Sequence, residues 1–232
     1  MTSPKGILFD LGDTILREVE YHPSAGIARL LDRTGLRPEH NRESAREASL
    51  ALLSEIRAMR DSEITEFPFQ SLLRLIVDRF CIDREISLAD AELDFWKTSA
   101  RMEPQPGIAA VLDGLAHRDI PIGVVSNAMF SSRLLIWELG RHGFGDAFEF
   151  VISSADYGLQ KPHPAIFLAA AARLGLTPPE ILFVGDNCRK DVQGARSAGM
   201  RAVWYNPTQE ALPGETPTLQ ISNWEEFRTL VG

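Results

Sequence analysis

The sequence predicts an α/β fold: a parallel sheet covered on both faces by helices, with an all-helical segment inserted after the first strand. Three observations carry this. Short apolar runs (Ile7-Leu8-Phe9, Ile122-Gly123-Val124-Val125 and Ile181-Leu182-Phe183-Val184-Gly185) each end at a polar residue, Asp10, Ser126 and Asp186. A short run without apolar–polar alternation reads as a strand buried on both faces, as in a parallel sheet. Beyond residue 104 such runs alternate with helical patterns, the connection that parallel strands require. From Ser24 to about Thr98 the pattern is helical alone.

Taken in order, residues 5–10 form the first strand. Apolar residues then recur at helical spacing: Ile27, Leu30 and Leu31; Leu50, Leu53 and Ile56; Leu72, Leu73, Ile76, Val77 and Phe80; Leu88, Leu93, Phe95 and Trp96. Charges fill the other positions, the pattern of amphipathic helices. The Pro/Gly cluster at 102–107 marks a boundary. Helices are predicted over 108–117, 131–141, 165–174 and 189–198, the last closed by Gly199. Strands are predicted over 120–126, 149–153, the run ending at Asp186, and 201–205. Residues 1–17 and 104–232 thus form a core domain and 18–103 a helical insert. Residues from about 20 to 100 are expected to form helices only and to move relative to the core about hinges at 17–21 and 103–107.

Composition bounds the function. The chain has 232 residues, 44% of them apolar, enough for a sizeable core. The net charge of −8 and the lack of a Lys/Arg-rich run argue against a duplex nucleic-acid partner, which needs a basic footprint. Cys81 and Cys188 have no zinc spacing and make no disulfide framework, so free thiols in a reducing compartment are expected. No signal-type apolar region or run of membrane length is present. These readings together predict a soluble cytoplasmic protein. Oligomeric state is not readable.

In open α/β sheets, ligands bind outside the carboxyl ends of the strands, so Asp10, Ser126 and Asp186 should converge. Carboxylates do not gather without a cation or a shared proton. A hard divalent ion with oxygen ligands, magnesium first, is the simplest cause. Each residue also has a plain structural role open to it. Asp10 could bind a turn, Ser126-Asn127 and Asp191 could cap helices, and Lys161 could be an exposed lysine. Against that, Gly12 and Thr14 follow Asp10 closely and let the backbone approach a ligand. Lys161 is confined between Gly158 and Pro162-His163-Pro164, which lowers the entropy it loses on pointing inward. His163 reads as a turn residue.

Four segments in order, Phe9-Asp10-Leu11-Gly12-Asp13-Thr14, Val124-Val125-Ser126-Asn127, Lys161-Pro162 and Val184-Gly185-Asp186 with Asp191, resemble the motifs of the haloacid dehalogenase (HAD) superfamily. The resemblance spans the chain, the insert matching the family's cap domain, and implies a Rossmann-like core. It implies Asp10 as a nucleophile that forms an aspartyl-phosphate. It implies Mg²⁺ on Asp10, the Gly12 carbonyl and Asp186 with Asp191 in support. Ser126, the Asn127 backbone and Lys161 would hold the phosphoryl oxygens of a small phosphorylated substrate. One departure stands out. The family's phosphatases usually carry an acid/base Asp two residues after the nucleophile, where this chain has Gly12. Asp13 comes one residue later, off the nucleophile's face in an extended strand. The haloacid dehalogenase branch also lacks that acid, which makes dehalogenation a rival reading; a HAD-like binding module without activity is a third. Arg29 or Arg33 could hold a substrate carboxylate, but solvated helix charges are the simpler account.

Overall fold

In a computed structural model, residues 3–33, 36, 40–62, 64–82, 86–210 and 219–232 are described. Six strands form one sheet in the order β5-β4-β1-β6-β7-β8, with every neighbouring pair parallel. They are β1 (Gly6–Phe9), β4 (Ile122–Ser126), β5 (Phe150–Ser153), β6 (Ile181–Gly185), β7 (Arg201–Tyr205) and β8 (Gln220–Ile221). The apolar runs behave as expected because both faces are covered. Ile7 and Phe9 pack on one side with Val124, Val184 and the C-terminal helix α10 (Trp224–Val231). Leu8, Val125 and Phe183 pack on the other with Ile166 and Phe167 of α8 (Pro164–Leu174). Successive strand residues point to opposite faces, so a doubly covered strand has no polar position.

The remaining core helices are α5 (Ile108–Ala116), α6 (Ser132–Arg141), the short α7 (Ser154–Tyr157) and α9 (Gly194–Ser197). The single helix expected over 189–198 is divided: a π-helical turn over Cys188–Gln193 precedes α9. No element is predicted beyond Tyr205, yet β8 and α10 follow. Phe9 lies 6.0 Å, centroid to centroid, from both Trp224 and Phe227 of α10.

The insert holds α1 (Pro23–Arg33), α2 (Arg42–Ser62), α3 (Phe69–Arg79) and α4 (Leu88–Ser99). Its two expected hinges differ from the prediction. β2 (Leu16–Tyr21) and β3 (Ala100–Pro104) pair as an antiparallel ribbon at the insert's base. Arg17 faces Glu103 and Glu20 faces Arg101 across it, each pair an ion pair. The partner strands are some 80 residues apart, so no local period announces them.

The insert is also seated rather than free-standing. Phe69, Phe95 and Trp96 pack on Phe130 of the core, in one continuous apolar cluster. Main-chain bonds cross the junction: Phe69 N to Met129 O, Glu66 N to Gly158 O and Gln160 N to Ile64 O. Truncating a buried aromatic such as Phe69 costs about 3–5 kcal/mol. Among the described residues, no helix is long and apolar enough to cross a membrane.

Candidate active site

Asp10 leaves the end of β1 and is 7% exposed. Its N–H donates to Val184 O, holding it beside β6, at whose end Asp186 stands. Thr14 joins the two loops: Asp186 N donates to Thr14 Oγ1 at 3.1 Å, and that hydroxyl lies 3.4 Å from Asp10 Oδ2 and Asp186 Oδ1. Asp191 comes from the π-helical turn, and its Oδ2 accepts from Asn187 N. Gly185 makes room for it, since a Cβ there would stand 2.5 Å from the Asp191 carboxyl.

Lys161 is buried among these groups. Its Nζ lies 2.6 Å from Asp10 Oδ1, 2.7 Å from Asp191 Oδ1 and 2.8 Å from Val125 O. The Asp191 contact is an ion pair between two buried groups. Burial opposes the charged lysine, but Asp10 and Asp191 outweigh it and its pKa is raised. One ammonium does not neutralise three carboxyls. Burial, then the charges of Asp10 and Asp191, push Asp186 up to about 8. Burial pushes Asp191 up to about 6, with Lys161 pulling the other way.

Asp10, Asp186 and Asp191 each offer an oxygen within 4.8 Å of the others. An all-oxygen set with more carboxyls than one ammonium balances fits a hard divalent cation. Gly12 borders the same end of the site.

A cavity of about 270 Å³ lies beside this cluster, lined by Leu11 and Gly12 just after Asp10 in the chain and by Ser126 at the end of β4. Gly12, Asp13, Ser126 and Asn127 line its sheet end; Tyr21, Arg57, Arg60 and Trp96 line the side of the insert. The seven positions predicted from sequence, Asp10, Gly12, Ser126, Asn127, Lys161, Asp186 and Asp191, fall at one end of the sheet or on this cavity. Ser126 is buried on the cavity wall. The Asn127 side chain is spent on the main chain of Lys161, accepting from its N at 2.7 Å and donating to its O at 2.9 Å.

Asp13 differs from the expectation of an opposite face. Extended structure ends at Phe9, and Asp13 has a left-handed φ of 54°. The chain coils, so Asp13 reaches the same cavity as Gly12; burial and the Asp10 charge raise its pKa. Gly12 has nothing within 4 Å of where a Cβ would lie. Neither Arg29 nor Arg33 lines the cavity, and Arg33 pairs with Asp94. The arginines that do, Arg57 and Arg60, were not singled out in the sequence. Arg57 lies over the Tyr21 ring, 4.7 Å from its centroid, and Arg60 pairs with Glu66. His163 caps α8, as its place in the turn suggested.

A doubly covered parallel sheet, carboxylates at the ends of its central strands and a buried lysine between them define a class of α/β hydrolytic enzyme. The chain belongs to the haloacid dehalogenase-like hydrolase family, whose pattern matches residues 4–199. It is 31% identical to a glyceraldehyde 3-phosphate phosphatase of Methanopyrus kandleri, covering 98% of this chain and 97% of that one. A HAD phosphatase from Thermococcus onnurineus superimposes with a TM-score of 0.66 at 26% identity, over 98% and 97% of the two chains. A 2-haloacid dehalogenase from Pseudomonas syringae pv. Tomato shares the fold, with a TM-score of 0.61 at 24% identity over 97% and 96%.

Proposed function

We propose that the protein is a magnesium-dependent phosphatase that hydrolyses small phosphate esters through an aspartyl-phosphate on Asp10. The observation that carries this reading is the buried Lys161 ammonium between Asp10 and Asp191, with Ser126 and Asn127 beside them on the wall of a cavity sized for a small ester. Phosphoryl transfer is mostly positioning and charge neutralisation. Lys161, the Ser126 hydroxyl and the Asn127 backbone N–H hold the phosphoryl oxygens. A carboxylate oxygen of Asp10 forms the bond to phosphorus as the bond to the leaving oxygen breaks. That oxygen takes a proton from Asp13 or from water. Water then displaces Asp10 from phosphorus and releases inorganic phosphate. Asp10, the Gly12 carbonyl, Asp186 and Asp191 would hold Mg²⁺, which when bound supplies positive charge to the phosphoryl group.

The phosphatase names of the relatives favour a phosphate ester over a haloacid. Gly12 in place of an acid favours the dehalogenase alternative; the carboxylates of Asp186 and Asp191, suited to a cation, oppose it. The same intact cluster opposes a binding module without catalysis. Neither Cys81 nor Cys188 forms a disulfide, in keeping with a reducing, cytoplasmic setting. The test is phosphate release from a panel of small monoesters with Mg²⁺ and with chelator, beside halide release from 2-haloacids. Phosphate release that chelator abolishes is the expected result; halide release alone overturns it.

A further inference from the structure

One contact at the junction reaches the catalytic lysine directly. Residues 64–66 of the insert run antiparallel to 158–160 of the core, with a bridge between Thr65 and Leu159. Gln160 N donates to Ile64 O at 2.7 Å and Glu66 N to Gly158 O at 3.0 Å. The Gln160 side chain is 2% exposed and faces both ways. Its Nε2 donates to Thr65 O at 3.0 Å and Arg60 O at 3.3 Å in the insert. Its Oε1 accepts from Asn127 Nδ2 at 3.4 Å in the core. The next residue is Lys161, whose peptide Asn127 brackets at both N–H and C=O. Glu66 fixes the insert's side of the seam, accepting from Ser154 Oγ at 2.6 Å and pairing with Arg60.

We propose that Gln160 is a positioning residue through which seating of the insert sets Lys161 and Asn127 for the phosphoryl group. The inference rests on the reading of Lys161 as a phosphoryl-binding residue. If the insert lifts away, the Gln160 amide and N–H lose their three insert carbonyls, and the peptide carrying Lys161 loses its outer support. Catalytic geometry is then complete only under a seated insert, which ties turnover to an enclosed substrate.

The test uses the full chain and two substrates, p-nitrophenyl phosphate and glycerol 3-phosphate. Gln160→Ala should lower kcat by about 10- to 100-fold, a loss typical of ~1 Å misplacement of a catalytic group. The factor should be the same for both substrates, since the phosphoryl group is common to them, with KM within about threefold of the wild type. Gln160→Met keeps the volume of the side chain without its amide and should show the same pattern if Gln160→Ala fails to fold. Folded variants with wild-type kcat, or a loss confined to KM of one substrate, would overturn the inference. A wild type without phosphatase activity would instead overturn the proposed function.

Discussion

Two sets of buried carboxylates share this molecule and are treated in opposite ways. At the junction of insert and core, Glu66, Glu92 and Glu138 are saturated with donors. Glu66 receives Arg60, Ser154 Oγ and Phe67 N; Glu92 receives Gln70 Nε2 and both Ser131 N and Oγ; Glu138 receives Trp96 Nε1 at 2.7 Å, with His142 and Arg141 beside it. At the ends of β1 and β6, one lysine pairs with two of three carboxyls, Asp10 and Asp191, and two pKa values are driven up. The junction set is complete in itself. The strand-end set holds more carboxyls than its one lysine balances, an arrangement that fits a cation. A buried charge with every partner supplied serves the fold, whereas one left short marks the place where chemistry is done.

The contrast breaks most readily at Asp10. Asp10→Asn should abolish turnover while the protein still unfolds cooperatively, because an amide does not form the phosphoenzyme. Lys161→Ala should cost about 10²–10³-fold in kcat. Wild-type rates in Asp10→Asn, measured as phosphate release, would remove the strand-end set from the chemistry.

Gly12 and Asp13 sharpen the strand-end side. A lost acid/base costs about 10²–10⁴-fold, most for leaving groups of high pKa. Gly12→Asp fits open space, so it should raise the rate on alkyl phosphates more than on p-nitrophenyl phosphate. Asp13→Asn decides whether the coiled loop already supplies the proton. A loss concentrated on alkyl phosphates would assign it that part; an unchanged rate would leave water as the donor.

For the junction, Glu66→Ala should destabilise by about 3 kcal/mol, because Arg60 loses its counter-charge in a mostly buried site. Urea unfolding should give the same loss with and without Mg²⁺. A loss that Mg²⁺ abolishes would mean the two sets are not separate.

The last effect has the opposite sign. A folded Asp186 with a pKa of about 8 keeps a proton that the unfolded chain releases near 3.8. The folded state binds more protons in that window, so without metal, stability should fall as pH rises from about 4 to 8. Asp186→Asn should flatten this slope and raise the metal-free Tm, while Mg²⁺ should raise the Tm of the wild type more than that of the variant. Thermal unfolding across pH checks this; a variant less stable than the wild type at pH 8 would contradict it.

The sequence by itself determined the sheet and the strand-end residues. Ile7-Leu8-Phe9 and Ile181-Leu182-Phe183-Val184 are apolar at every position because both faces are covered, and a strand's carboxyl end is where such a sheet binds ligands. That rule needs only local pattern and order along the chain. Tertiary structure decided what depends on partners distant in sequence. β2 and β3 pair across some 80 residues, Glu66 and Gln160 find partners across the seam, and Arg57 and Arg60 reach the cavity because α2 presents that face to it. Thr14 could be noticed as a short hydroxyl after Asp10, but its bond to the Asp186 loop spans 172 positions. The side on which Asp13 lies was fixed by a single left-handed residue that no apolar period encodes. Periodicity reports which face of an element is buried; only the packed chain reports what that face meets.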